Sequence, residues 1–315
     1  MGAQLRVYRR RIRSVQSTKK ITKAMELISA SRIVRAQQRM NDARPYAEEL
    51  TRALSAVLQD ASLKHPMLTG VANPRRTAIV LVTSDRGQAG GYNANAIKTA
   101  NDLAARLEAD GREVVRYVIG RKGVAYFRFR RIEIAGSFTG FSDQPSFADI
   151  RDLTEKLGFA LSATSEGTVG DEPGIDELYL VSTKYVNSVT QTPVAQLLSP
   201  VKDAAEQDDS DGAPETGDDS EQATVSYEFE PEPEKLIAAL LPRYISARIF
   251  SALLESAASE WASRRRAMKS ASDNATELIR TYTRLANEAR QAEITQEISE
   301  IVGGADALAT AGVED

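Results

Sequence analysis

Residues 243–302 read RYISARIF SALLESAASE WASRRRAMKS ASDNATELIR TYTRLANEAR QAEITQEISE IV, with no glycine and no proline. Apolar or small residues recur at alternating intervals of three and four: Ala247, Phe250, Leu254, Ala257, Trp261, Arg264, Met268, Ala271, Ala275, Leu278, Tyr282, Leu285, Ala289 and Ala292. That spacing, kept over many heptads, predicts one long coiled-coil helix rather than a helix of a compact domain. At about 1.5 Å per residue it would run roughly 90 Å, so its seam needs a partner of similar length.

The other end of the chain offers one. From Ala3 to Leu63 there is no glycine and only Pro45. The stripe Leu5, Tyr8, Ile12, Val15, then Ile21, Met25, Ile28, then Ile33, Ala36, Met40, Ala43, Ala47, Leu50, Leu54, Val57, Ala61 reads as a seam with two phase shifts, which change a supercoil locally without ending it. Pro45 is expected to kink this helix near Arg44. Two long helices with uncovered seams most simply cover each other, antiparallel if the middle of the chain returns to its start.

The middle of the chain changes period. Arg76–Ser84 (RTAIVLVTS) is short, apolar and β-branched, as a buried parallel strand is. After the loop Asp85–Tyr92, helix is expected over Asn93–Ala109, strand over Val114–Ile119, helix over Lys122–Arg128, and a third strand over Ile132–Ala135. Helix then follows over Ser146–Thr164, and strands over Glu177–Val186 and Thr192–Leu198. Strands alternating with helices make a small doubly wound, Rossmann-like α/β domain. The predicted fold class is therefore α/β: a long antiparallel coiled coil of the N- and C-terminal helices plus that domain. The expected division is 1–63 and 235–315 for the two helices, 76–200 for the α/β domain, and 201–234 for an acidic, flexible connection.

Composition removes several function classes. The chain of 315 residues has no cysteine and one histidine, His65, so thiol chemistry, thiolate metal sites and histidine pairs are excluded. No apolar run approaches the roughly 20 residues of a membrane span. The Arg-rich, acid-free start resembles a transit peptide but runs unbroken into helix, and Arg6 stands where a myristoylation signal wants Ser or Thr, so residue 1 is read as the mature start. Gly87, Gly90 and Gly91 match neither a dinucleotide fingerprint nor a phosphate loop; they are read as a tight strand-to-helix turn, and no cofactor and no metal are expected. Glu166–Gly174 is a Gly-rich acidic connection, and Asp203–Ala223 has carboxylates but no positive charge, as a flexible segment does. Arg6, Arg9–Arg11, Arg13, Lys19, Lys20, Lys23, Arg32, Arg35, Arg39 and Arg44 load the first helix, opposed by Glu26 and Asp42. That face suits an acidic protein partner; nucleic acid is the competing reading, without interleaved aromatics to support it.

Three separated stretches carry a family resemblance: RSVQSTKKITKAME from Arg13, SDRGQAGGYN from Ser84, and MKSASDNA from Met268 with ARQAEITQEI from Ala289. In this order, over essentially the whole chain, they resemble the γ subunit of F-type ATP synthase. The resemblance implies a rotor: a shaft inside the α3β3 hexamer, fixed at its foot to the c-ring and ε, whose rotation drives the β catalytic sites, with no catalytic site of its own. It implies that Met25 with Lys19, Lys20 and Lys23 approaches the acidic lever of β. Arg290, Gln291 and Thr295 then form a polar catch to β and α, Ala307 to Ala311, with Leu308, the bearing, and Tyr227 the ε and c-ring end. Its partners are α, β, ε and the c-ring, with no nucleic acid, and its place is peripheral, on the cytoplasmic side of the cell membrane. The absence of cysteine departs from the thiol-regulated chloroplast type, and the loops 166–174 and 203–223 look longer than the family's usual ones. A shaft turning in a sleeve is expected to keep bulky apolar residues in its seam. Other classes are a coiled-coil scaffold, uncoupled from ATP hydrolysis, and a nucleic-acid binder.

Overall fold

The computed structural model describes residues 2–58, 66–170, 172–201 and 233–311. The Asp203–Ala223 reading and Tyr227 lie outside them. The helices are α1 (Gly2–Leu58), α2 (Pro66–Thr69), α3 (Tyr92–Ala109), α4 (Arg121–Phe129), α5 (Arg151–Ala163) and α6 (Pro233–Ala311). The strands are β1 (Arg76–Val82), β2 (Glu113–Ile119), β3 (Gly136–Phe138), β4 (Thr168–Val169), β5 (Glu172–Pro173), β6 (Glu177–Tyr185) and β7 (Gln191–Ser199). The chain forms two compact units, Met1–Ile28 with Arg265–Asp315, and Ser29–Arg264.

In the Ser29–Arg264 unit a five-stranded sheet runs β3-β2-β1-β6-β7. β1 is parallel to both neighbours, and all of it after Arg76 is buried, which is why it reads as an unbroken apolar run. Alternate side chains go to opposite faces. Ile79 and Leu81 meet α3 and α4 through Ala96, Ala100, Leu103 and Phe127. Ala78, Val80 and Val82 meet α5, α6 and the end of α1 through Leu157, Leu161, Ile245, Ile249 and Leu54. The N-terminal helix covers α6 antiparallel: Ile33 and Ala36 lie against Ala258, Trp261 and Ala262, whereas Leu50 and Leu54 share a core with Ile237 and Leu241.

Several expectations shift. The third strand is Gly136–Phe138 rather than Ile132–Ala135; Ile132 and Ile134 instead pack beside Phe127 under the α3–α4 face. β7 runs antiparallel to β6, a hairpin edge on an otherwise parallel sheet. The 146–164 stretch opens with a 3-10 turn, Phe147–Ile150, capped reciprocally by Ser146 and Asp149, before α5 begins. The 166–174 connection contains the short antiparallel pair β4–β5. α6 begins ahead of Pro242 and runs through Gly303 and Gly304. It also holds an 18-residue window of mean hydropathy 1.4, half of it buried inside the protein. That corrects the expectation of no span-length apolar stretch; a core helix meets the same length and composition test.

In the other unit α1 and α6 pack through Tyr8, stacked on Tyr282 with ring centroids 6.4 Å apart and Arg11 over the same ring. The seams differ from those read in the sequence. α6 turns Met268, Ser272, Ala275, Ile279, Tyr282 and Ala286 inward, so Leu278, 45% exposed, yields to the half-buried Ile279, while Leu285 stays half-buried beside the buried Ala286. Along α1 the inward positions keep a regular heptad through Val15, Lys19, Thr22 and Glu26, with no phase shift, while Ile21 is 62% and Ile28 48% exposed. Bulky apolar residues outside the seam, Leu27, Ile298 and Ile301 among them, overturn the expectation that such residues stay within it.

Candidate functional site

The SDRGQAGGYN loop leaves the C-terminal end of β1 and meets α6 where that helix is buried all round, from Ser256 to Arg264. A helix enclosed in this way must satisfy its polar side chains internally. Asn93 closes the loop on itself: its Oδ1 accepts from the Ser84 amide at 2.8 Å and its Nδ2 donates to Ser84 Oγ at 2.8 Å. Asp85 gathers three backbone amides, those of Gly140 (2.8 Å), Ser142 (3.0 Å) and Arg121 (3.1 Å), and so pins the 140–142 turn against β1. Ser142 Oγ accepts from the Asp85 amide at 2.8 Å and donates to Glu260 at 3.1 Å.

Glu260 pairs with Arg264 one turn on, at 2.7 Å, with side chains 0% and 2% exposed. Arg264 also donates to the carbonyls of Arg86 (3.2 Å) and Gly87 (3.3 Å), and lies over the Trp261 ring at 4.8 Å. The loop thus turns carbonyls onto a cation, whereas a phosphate cradle would turn amides onto an anion. Burial pushes the Glu260 carboxyl up, and Arg264 and Ser142 pull it back in part. Burial, with the Glu260 charge nearby, likewise raises the Tyr92 phenol above its ordinary range.

Further bonds fasten α6 to the ends of β6 and β7. Ser256 Oγ accepts from the Thr183 amide (3.1 Å), Ser259 Oγ donates to the Thr183 carbonyl (3.1 Å), and Ser263 Oγ donates to Gln191 (3.0 Å). Glu255 accepts from the Tyr185 amide at 3.0 Å. Desolvation raises the Glu255 carboxyl, against that bond and the charges of Lys184 and Arg248. A raised acid holds its proton more tightly folded than unfolded. Its contribution is therefore full below the unfolded value, about 4.3, and is lost as pH rises through the folded one. The stability advantage of the parent over Glu255→Gln is expected to shrink as pH rises through that window, read by guanidinium unfolding at a series of pH values; an advantage constant with pH would count against it.

Sequence reasoning singled out the SDRG loop but not its partner. Spacing puts Arg264 in the seam and gives Glu260 no role; the available signal is a charged pair four apart inside SEWASR, on the face of α6 that carries the seam residue Trp261.

The family comparison bears on the whole chain. A family model described as ATP synthase matches residues 4–308. The ATP synthase gamma chain of Acidothermus cellulolyticus is 54% identical over 314 residues, covering 100% of both chains. This chain belongs to the ATP synthase gamma-chain family. The gamma chain of Streptomyces coelicolor is 52% identical, covering 99% of this chain and 98% of its own. Among solved structures, a chain of the Euglena gracilis mitochondrial ATP synthase (OSCP/F1/c-ring) superposes with a TM-score of 0.64 at 17% identity, covering 98% and 95% of the two chains. A chain from the central stalk and c-ring of the Tetrahymena thermophila enzyme gives 0.54 at 23% identity, covering 80% and 99%. At those identities the two structures speak for the fold alone.

The residues that the gamma-chain motifs suggested as contacts fall into two groups. Lys20 and Lys23 are exposed, Lys23 bridging to Glu26 at 3.1 Å, while Lys19 and Met25 are half-buried. Arg290, Gln291 and Thr295 are exposed on α6, with Thr295 Oγ1 donating to the Gln291 carbonyl at 2.9 Å. Ala307 and Leu308 lie in the last turns of α6.

Proposed function

We propose that this chain is the rotor, or central-stalk, subunit of a proton-translocating F-type ATP synthase, seated within α3β3 and joined at its foot to ε and the c-ring. The observation that carries the reading is full-length identity above half with gamma chains. The complex is membrane-bound, and the chain is peripheral to the membrane on its cytoplasmic side. ATP chemistry belongs to the β subunits; this chain supplies asymmetry and torque. Drag on the α/β domain reaches the buried stretch of α6 up to Arg264 through the bonds from Thr183, Tyr185, Ser142 and the Arg86–Gly87 carbonyls.

Met25 with Lys19, Lys20 and Lys23 is assigned to the acidic lever of β. The exposure of Ile21, Leu27 and Ile28 beside them, outside the seam, supports a partner-facing surface there. Arg290, Gln291 and Thr295 are assigned to the catch, Ala307 and Leu308 to the bearing, Tyr227 to the foot.

Co-expression with α and β chains tests the role: a hexamer with nucleotide-dependent hydrolysis is expected, and α3β3 unaffected by this chain would refute it. In that complex Arg290→Ala with Gln291→Ala is expected to lower turnover several-fold while assembly survives, since both side chains are exposed and their removal leaves the helix pair intact. Unchanged turnover would sink the catch assignment.

A further inference from the structure

On α1 the sequence SRIVRAQQRM places Arg32, Arg35 and Arg39 at i, i+3 and i+7, one face of the helix along about 10 Å. Three other cations of this helix have an acid a turn away: Lys23 pairs with Glu26, Arg44 with Glu48, and Arg52 with Glu49. Arg32, Arg35 and Arg39 have none among the described residues. The one acid within a turn, Asp42, accepts instead from Gln38 at 2.8 Å. Like charges three and four apart repel, so the bare helix carries this face at a cost.

The three arginines line one wall of a cleft of about 200 Å³. Leu254 and Trp261 of α6 form another, and Asp143 and Gln144 of the following loop close it. Asp143 does not neutralise the wall, since its carboxylate meets Arg86 at 3.4 Å. The cleft therefore joins a concave volume, unpaired guanidinium groups and an amide side chain. Guanidinium forks match phosphate oxygens in pairs.

From this geometry we infer that the cleft binds a compact polyphosphate anion, the phosphate chain of a nucleotide or free polyphosphate. The cleft is too small for a packed helix, and the length of the arginine row suits linked phosphates rather than one. This inference goes beyond the rotor role and does not depend on it.

Calorimetric titration of the full chain with tripolyphosphate, ATP, adenosine and an aspartate-rich peptide tests it. Tripolyphosphate and ATP are expected to bind, at least tenfold more weakly to Arg35→Ala/Arg39→Ala and at intermediate strength to Arg35→Lys/Arg39→Lys. ATP binding equal to tripolyphosphate identifies the phosphate chain alone as the ligand; ATP binding tenfold tighter identifies a nucleotide. The inference is overturned if tripolyphosphate does not bind, if the alanine variant binds as the parent does, or if only adenosine or the acidic peptide binds. Because the arginines have no partner among the described residues, the alanine variant should keep the parent's melting temperature, which separates lost binding from lost folding.

Discussion

Arg264→Ala lowers the unfolding free energy by about 3–5 kcal/mol, the range for removing one member of a buried ion pair. The variant leaves the Glu260 carboxyl enclosed without its cation, and leaves the Arg86 and Gly87 carbonyls without a donor. It also empties the space over Trp261, where the guanidinium sits 4.8 Å from the ring. Glu260→Leu combined with Arg264→Met should recover part of the loss, because no charge then remains buried, while the Arg86 and Gly87 carbonyls and Ser142 Oγ still lack their partner. Guanidinium unfolding of the parent, single and double variants reads both effects. A single-variant loss below about 1 kcal/mol, the level of an exposed pair, would mean that solvent reaches the pair. In the assembled complex the Arg264→Ala variant should weaken the transfer of torque between the domain and this stretch of α6, since Arg264 is the donor that ties the helix to the Arg86 and Gly87 carbonyls.

Gly120→Ala is the other severe change. Gly120 ends β2 with φ +94 and ψ 137, and a Cβ there would stand 2.1 Å from the Thr83 carbonyl oxygen and 2.7 Å from its hydroxyl. Strain at such a backbone costs about 1–3 kcal/mol alone. The clash falls on the Thr83 backbone just after β1, which cannot retreat, since Thr83 Oγ1 donates to the Ile119 carbonyl and accepts from the Gly123 amide. A total of about 3 kcal/mol or more is expected. Gly111→Ala separates the two causes, because φ is +80 there but nothing lies within 4 Å of the added methyl. It should cost only the strain, about 1 kcal/mol. Equal losses in the two variants would show that the approach to Thr83 is harmless.

Along α6 two heptad readings share Met268, Ala275, Tyr282 and Ala289 and differ by one place in between. Periodicity favours Leu278 and Leu285; in the packed helices Leu278 faces out and Ile279 is half-buried, whereas Leu285 stays half-buried beside the buried Ala286. Along α1 the apolar Ile21 and Ile28 suggested phase shifts, but the small polar Thr22 and Ser29 take the inward places, Ser29 fully buried. Both flanks offer residues able to pack, and only the partner helix's position says which flank faces inward.

By itself the sequence determined what depends on neighbours along the chain: two glycine-poor helices, the β-branched strand β1, the order of strands and helices between them, and the family motifs. Periodicity and propensity act within a few residues, so they are legible without a fold. The tertiary structure alone decided which flank of each helix faces inward, that β7 turns back against β6, and that Glu260 and Arg264 close on the Ser84–Asn93 loop. Those outcomes join residues as far apart as Gly87 and Arg264, and burial makes their hydrogen bonds obligatory only once the chain has brought them together.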